Sequence, residues 1–286
     1  MRKRHYIFIF LQELKPSFCR IFVESTDVGR RRKSYKQRQR IYWASGIAAF
    51  LFVAYLAFLW TRTQSETEPF VEYNGFGIPL PAEFSIHGID VSRYQKRISW
   101  SAVKQMEVGP YKIGFAIIKA TEGADLKDPL FERNWKNARK AGVVRGAYHF
   151  FNPKKKIEPQ VRNLMRTVKL QSGDLPPVLD VEKTGGLKEA IFRRQVKSML
   201  LAMEAAYGVK PIIYTYVSFY ERYLGDDFDD YPLWVAHYEQ PEKPRIDREW
   251  TFWQHHDGGK VNGILAPVDF NVFNGDSLQF YQLLIP

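Results

Sequence analysis

The chain has 286 residues, enough for one large domain or two small ones, and 45% of them are hydrophobic, which can supply a sizeable core. Its formal net charge of +11 is concentrated at the N-terminus, because residues 1–64 hold 13 Lys and Arg against three Asp and Glu, whereas the other 222 hold 29 against 28. A nearly neutral main part lacks the basic surface that phosphate backbones require, which excludes nucleic acid as the main partner.

An apolar segment at residues 41–60 contains no charged residue and predicts a transmembrane helix. At a rise of about 1.5 Å per residue it spans the hydrocarbon core of a bilayer. Basic residues are frequent before this segment and rare just after it. The positive-inside rule therefore predicts a single-pass protein of a bacterial cytoplasmic membrane, with residues 1–40 as a basic cytoplasmic tail and the residues after the segment outside. A cleaved signal peptide is the alternative, although its apolar region would be shorter and would end in small residues, not in the bulky residues 58–60.

Residues 61–82 are polar and then proline-containing, which predicts a linker that lifts a domain, residues 83–286, off the membrane. Eight short runs of β-branched and aromatic residues predict strands in this domain, at 86–91, 115–121, 144–150, 178–182, 212–216, 233–236, 251–254 and 268–273. Helical patterns occupy residues 129–141 and 187–207. The alternation predicts a parallel α/β barrel whose last three strands follow one another with little helix between them.

Acidic residues gather at the carboxyl ends of these strands, where barrel enzymes hold their catalytic groups. Asp180 and Glu182 are two positions apart on one strand, so both side chains are expected to face the barrel mouth. Asp90 ends the first predicted strand and Asp269 belongs to the last, and these strands are neighbours in a closed barrel. Closely spaced carboxyl groups can divide into a protonated acid and an ionised partner, as glycoside hydrolysis requires. Acids that cap a helix or bind a cation are the alternative.

Motifs in a fixed order accompany these acids. They read GIDVS at 88–92, FAIIKATEG at 115–123, GAYHF at 146–150, PVLDVE at 177–182, PIIYTY at 211–216, LWVA at 233–236, WQ at 253–254 and VDFN at 268–271. From about residue 86 to residue 275 the chain therefore resembles glycoside hydrolase family 25, the bacterial, fungal and phage muramidases.

The resemblance implies a flattened, irregular TIM-like (β/α)5β3 barrel that cleaves the β-1,4 bond between N-acetylmuramic acid and N-acetylglucosamine of peptidoglycan. It implies that Glu182 is the general acid/base and that Asp90, Asp180 and Asp269 surround the same sugar. Asp180 either attacks the sugar or orients the acetamido group of the substrate, and we favour the second role. No metal or organic cofactor follows from the resemblance. The expected partners are peptidoglycan glycan strands and the membrane that residues 41–60 would cross, and the expected state is a monomer.

Candidates for lining the sugar groove are Tyr148, His149, Tyr214, Tyr216, Trp234, Trp253 and Gln254, and packing in the core is the alternative for each aromatic residue. Two features depart from the family pattern. Lys96 stands where the family often has Gly, and a His255–His256 pair follows Gln254. Adjacent residues on a strand face opposite sides, so this pair does not predict a metal site.

Two other functions remain as alternatives. A chitinase-like hydrolase also uses an acid pair on a barrel strand, but its pattern resembles Asp-x-Asp-x-Glu, and Val178 occupies the position two before Asp180. A catalytically inactive peptidoglycan-binding protein is the second alternative. All four acids are present, which counts against loss of catalysis.

Overall fold

A computed structural model describes residues 24–63 and 69–286; the first 23 residues of the predicted basic tail and residues 64–68 of the predicted linker lie outside this part. The chain divides into an N-terminal unit and a second unit that begins at Thr67. In the N-terminal unit one helix, α1, extends over Glu24–Thr63. Its stretch Tyr35–Phe58 has a mean hydropathy of 1.9, is long and apolar enough to cross a membrane, and none of it is buried.

The second unit contains twelve strands among the described residues. They are β1 (Phe70–Tyr73), β2 (Ile78–Pro81), β3 (His87–Val91), β4 (Glu107–Val108), β5 (Tyr111–Glu122), β6 (Leu126–Lys127), β7 (Val144–Phe150), β8 (Val178–Asp180), β9 (Ile212–Tyr216), β10 (Leu233–Ala236), β11 (Phe252–Gly259) and β12 (Val268–Phe273). Eight of them close into a barrel in the order β3-β5-β7-β8-β9-β10-β11-β12, and β12 pairs back onto β3. Neighbours from β3 to β11 run parallel, whereas β12 is antiparallel to both of its neighbours.

Helices follow the first five barrel strands and are missing after the next two. The α-helices of this unit are α2 (Trp100–Gln105), α3 (Phe131–Lys140), α4 (Ile157–Thr167), α5 (Glu189–Tyr207), α6 (Val217–Phe219) and α7 (Ser277–Leu283). A π-helix at Tyr220–Leu224 and short 3-10 helices at Arg93–Gln95 and Gly225–Phe228 complete the set among the described residues. Gly208 ends α5 with a φ of 72°, a left-handed conformation that glycine adopts without strain. The predicted (β/α)5β3 barrel is therefore confirmed.

Side chains along each barrel strand alternate between the interior and the outside of the barrel, and this separates two hydrophobic cores. Phe115 on β5 contacts Phe252 on β11, with 5.1 Å between the ring centroids, although two other strands lie between β5 and β11 in the sheet. Such a contact crosses the barrel, so the cluster that contains both rings fills its interior. Residues of the opposite parity, such as Ala116 and Ile118, pack outward in a larger cluster that includes the helices.

A hairpin of β1 and β2 covers the part of the barrel that has no helices. Phe76 and Leu80 are fully buried, and the Phe76 ring lies 5.3 Å from that of Phe270 on β12. The Lys260 amide donates to the carbonyl of Phe76 at 2.8 Å. Here the structure differs from the predicted linker 61–82: the prolines of this segment suggested an extended spacer, but alternate residues from Phe76 to Leu80 are apolar and bury outward-facing strand surface.

Candidate active site

Four carboxyl groups meet at one end of the barrel. Asp90 on β3 pairs directly with Asp269 on the antiparallel β12, so the two acids lie side by side. Asp180 is the last residue of β8, and Glu182 follows two positions later. All four line one cleft of about 260 Å³. The remaining lining residues are Val91, Ser92, Tyr94, Gln95, Lys119, Tyr148, Tyr214, Trp234, Tyr238 and Gln254. The structure thus brings the four predicted acids together.

Two amide side chains hold Asp90. Gln254 Nε2 and Asn271 Nδ2 both donate to Asp90 Oδ2, at 2.7 and 2.9 Å. The side-chain oxygen of Gln254, Oε1, accepts hydrogen bonds from the hydroxyls of Tyr214 and Tyr238, at 2.8 and 2.7 Å. Because Oε1 accepts these two hydrogen bonds, Nε2 of Gln254 faces the Asp90 carboxyl group, and the orientation of the Gln254 side chain is fixed. Burial raises the pKa of Asp90 to about 7, although the two amide hydrogen bonds oppose the increase.

The other three acids also retain protons more readily than in water. Burial and the charge of Glu182 raise the pKa of Asp180 well above its usual value. Its Oδ1 atom is buried without a hydrogen-bond partner among the described residues. Burial raises the pKa of Glu182, while the ammonium groups of Lys183 and Lys119 oppose the shift. Burial and the neighbouring Asp90 raise the pKa of Asp269 to about 9. The cleft therefore holds protonated carboxyl groups near neutral pH, and these can act as acids.

Four of the predicted groove residues line this cleft: Tyr148, Tyr214, Trp234 and Gln254. The rings of Tyr214 and Trp234 are 4.3 Å apart between centroids and form one aromatic wall. Trp234 also donates its indole N–H to Asn271 Oδ1 at 2.7 Å. The wall is thus attached to the same hydrogen-bond network that holds Asp90.

His149 and Trp253 lie outside the cleft. Each is adjacent to an inward-facing residue, Tyr148 or Gln254, and successive strand residues face opposite sides. The His149 ring nitrogens lie 2.7 Å from Thr121 Oγ1 and 3.2 Å from Gln160 Oε1, and burial lowers its pKa to about 4. Both residues are fully buried, so the structure places them in the outer core and not against a sugar.

Tyr216 is 42% exposed and lines a different, adjoining cavity of about 280 Å³, together with Tyr238. Tyr238 also lines the cleft that holds the four acids, so the two cavities meet at this side chain. Tyr238, Lys119 and Tyr94 also line the cleft and were not among the residues predicted from the sequence. Strand parity offered a signal for two of them, because Lys119 has the parity of the inward-facing Phe115 and Tyr238 follows Ala236 by two positions.

No metal site accompanies the acids in the described part of the chain. Residues 24–63 and 69–286 contain no group of three His, Cys, Asp or Glu side chains with an arrangement that could hold a metal ion. His255, one of the predicted departures from the family pattern, is buried on the outer side of β11 against Trp253 and Phe70.

The sequence model of glycosyl hydrolases family 25 matches residues 89–264, more than half of the chain. The chain belongs to glycosyl hydrolase family 25. It is 34% identical to "Lysozyme M1" of Streptomyces globisporus over 219 residues, which cover 71% of this chain and 73% of that protein. It is 48% identical over 200 residues to "Uncharacterized protein YegX" of Escherichia coli (strain K12), covering 70% and 74% of the two chains.

The fold agrees with that assignment. A solved family 25 glycosyl hydrolase from Bacillus anthracis superposes with a TM-score of 0.66 at 32% identity and covers 72% of this chain and 96% of that one. This chain is therefore a glycoside hydrolase of family 25. Three of its four clustered acids, Asp90, Asp180 and Glu182, lie within the segment that the family model matches, whereas the hairpin of β1 and β2 and Asp269 lie outside it.

Proposed function

We propose that the protein is a muramidase that hydrolyses the β-1,4 bond between N-acetylmuramic acid and N-acetylglucosamine in peptidoglycan. The observation that carries this proposal is the convergence of four carboxyl groups beside an aromatic wall in one cleft. The names of two relatives agree with it, "Lysozyme M1" and the "N,O-diacetylmuramidase" of Chalaropsis.

Glu182 is the proposed general acid. It is the least buried of the four carboxyl groups and follows the end of β8, where it can reach the oxygen between two sugars. A general acid must hold its proton near the working pH, and burial raises the pKa of Glu182 in that direction. After it has protonated the leaving oxygen, the resulting carboxylate can accept a proton from the water that completes hydrolysis.

Asp180 is proposed to orient the acetamido group of the substrate. Its Oδ1 atom is buried and unpaired, so it can accept the acetamido N–H and direct the acetamido oxygen at the anomeric carbon. That oxygen forms a bond to the carbon as the glycosidic bond breaks, and water then opens the cyclic intermediate. Direct attack by Asp180 would require a free carboxylate, which burial disfavours. Asp90, whose pKa of about 7 allows it to ionise near neutral pH, then stabilises the positive charge that develops on the sugar ring, while Asp269 stays protonated beside it.

Product analysis tests the activity. The full-length protein in detergent would be incubated with purified peptidoglycan, and new reducing ends would be labelled by borohydride reduction and identified by mass spectrometry. Reduced N-acetylmuramic acid at the new ends supports the proposal. Reduced N-acetylglucosamine would identify a glucosaminidase, and cleavage of chitin oligosaccharides in preference to peptidoglycan would favour the chitinase-like alternative. Glycan binding without any cleavage would favour the inactive binding protein.

The N-terminal helix is proposed to anchor the enzyme, with residues 1–40 in the cytoplasm and the catalytic unit outside. Support comes from the unburied apolar stretch Tyr35–Phe58 and from the basic residues before the predicted segment 41–60. An anchor predicts intact, carbonate-resistant protein in the membrane fraction whose catalytic unit is digested by protease added to spheroplasts. A soluble product that lacks the N-terminal segment would instead identify a cleaved signal sequence.

A further inference from the structure

The proposed catalytic cleft adjoins two other cavities whose chemistry differs. On one side, beyond Tyr238, lies the cavity of about 280 Å³ that Tyr216, Val217 and Ala236 help to line, and its surface is largely apolar. On another side lies a cavity of about 140 Å³, here called the side cavity, which shares Lys119 with the cleft. The residues that line the side cavity are Arg93, Lys119, Glu122, Leu126, Lys127 and Asp128.

The carboxylates of the side cavity already have partners. Glu122 forms an ion pair with Lys119 at 2.9 Å. Asp128 is buried, and its two oxygens accept the backbone N–H groups of Arg93 and Leu130, at 2.8 and 2.9 Å. Lys127 pairs with Glu132, which lies on α3. The carboxylates that line the cavity are therefore already engaged in ion pairs and backbone hydrogen bonds within the protein.

Arg93 is the cation of the side cavity that lacks such a partner. Its guanidinium forms no ion pair with a carboxylate in the part of the chain that the structure describes, is fully open to solvent, and contacts the side chain of Tyr94. The turn that carries it is fixed: Ser92 and Gln95 cap it reciprocally, and Gln95 also bonds to the Pro267 carbonyl at 3.0 Å. The structure therefore presents, on a fixed turn, an exposed guanidinium that is hydrogen-bonded to the Tyr94 side chain and forms no ion pair with a carboxylate of the described residues.

The place of Arg93 relates it to the substrate. Tyr94 lines the catalytic cleft and is 68% exposed, so it offers its ring to a sugar, while the adjacent Arg93 points its charge at the side cavity. A neutral glycan strand has no charge to offer a guanidinium, and its apolar sugar faces match the aromatic cavity at Tyr216 and Tyr238 better. The muramic acid residue differs, because its lactyl group carries a peptide stem with free carboxylates.

We propose that the side cavity binds a carboxylate of the peptide stem on muramic acid, with Arg93 as its main ligand. This inference rests on the muramidase function proposed above and assigns a second recognition element beside the sugar groove. Arginine suits this role because its planar guanidinium can donate two parallel hydrogen bonds to one carboxylate. Lys119 and Lys127 add positive charge at the same cavity.

Two synthetic tetrasaccharides, with alternating N-acetylglucosamine and N-acetylmuramic acid, test the proposal. Both carry an alanyl-glutamate stem, in one with free carboxylates and in the other with every carboxylate converted to a carboxamide. The readout is the ratio of kcat/KM for the acid substrate to kcat/KM for the amide substrate, measured with full-length protein in detergent. We expect a ratio well above one for the wild type and a decrease of about fivefold in Arg93→Gln, in the range of a solvent-accessible ion pair. Arg93→Glu should lower the ratio further, because it replaces attraction by repulsion.

Lys136→Gln is the matched control, because it removes one positive charge from an exposed position on α3, outside the cleft. It should leave the ratio at the wild-type value. A wild-type ratio of one, or an equal decrease for both substrates in Arg93→Gln, would overturn the stem-binding site while leaving the muramidase function intact. If the wild type cleaved neither tetrasaccharide nor purified peptidoglycan, the proposed function would fail, and the inference with it.

Discussion

Replacement of Phe76 by alanine should destabilise the whole catalytic unit, although residues 70–81 lie outside the segment that matches the family model. The Phe76 ring is fully buried and packs edge-on against Phe270, with 5.3 Å between the centroids. Phe270 belongs to β12, the strand that also carries Asp269 and closes the barrel. A cavity of this kind usually costs about 3–5 kcal/mol in free energy of unfolding. For a unit of this size such a loss corresponds to a decrease in Tm of about 10 °C.

The assay is thermal and urea denaturation of the full-length protein in detergent, followed by tryptophan fluorescence and near-ultraviolet circular dichroism. Glu72→Ala is the matched control, because Glu72 lies exposed on the same hairpin, and it should change the free energy of unfolding by less than about 0.5 kcal/mol. If Phe76→Ala unfolded like this control, the hairpin would be an accessory to the barrel, and the reasoning that assigns it the role of the missing helices would be refuted.

Three further predictions concern the charges and one strained residue. Lys119→Met removes an ammonium group that lowers the pKa of Glu182, so the basic limb of the kcat/KM–pH profile should move to higher pH. An unchanged limb would contradict the assignment of Glu182 as the acid. The pKa values of Asp90 and Asp269 are about 7 and 9 in the folded state but near 4 in the unfolded chain, so the free energy of unfolding should decrease as pH rises from about 4 to 9. Urea denaturation at several pH values measures this decrease, which should be smaller in Asp269→Asn. Lys96 has a φ of 55°, a strained conformation for a residue with a side chain. Lys96→Gly should therefore stabilise the protein by about 1 kcal/mol, because the relief of strain exceeds the entropic cost of glycine. A lower Tm for the variant would contradict this.

Much of the barrel follows from local sequence patterns. Short β-branched and aromatic runs predicted all eight barrel strands, and the scarcity of helical pattern between the last three of them predicted the irregular half. The four acids were predictable because they stand at or near the ends of strands that closure brings together. The hairpin was not predicted, because Pro69, Pro79 and Pro81 are typical of an extended linker. Its role becomes evident only when the barrel is seen to have an apolar outer surface that no helix covers.

Side-chain direction was the weaker part of the site prediction. Aromatic and histidine residues near strand ends were treated alike, but Tyr148 and His149 face opposite sides of the same strand. Parity would have excluded His149 and Trp253 once Tyr148 and Gln254 were placed inside. Tyr94 had no such signal, since its place depends on a short turn after β3 and not on strand periodicity.

The role of Glu182 is tested most directly by the rate of peptidoglycan hydrolysis by Glu182→Gln, a change that keeps the shape of the side chain and removes its acid. Glu158→Gln, on the exposed surface of α4, is the matched control. We expect Glu182→Gln to retain its fold and bind glycan but to lose activity by about a thousandfold, the usual contribution of a general acid, while the control stays at the wild-type rate. A Glu182→Gln protein with more than a tenth of the wild-type rate would contradict the central claim that this carboxyl group protonates the leaving oxygen.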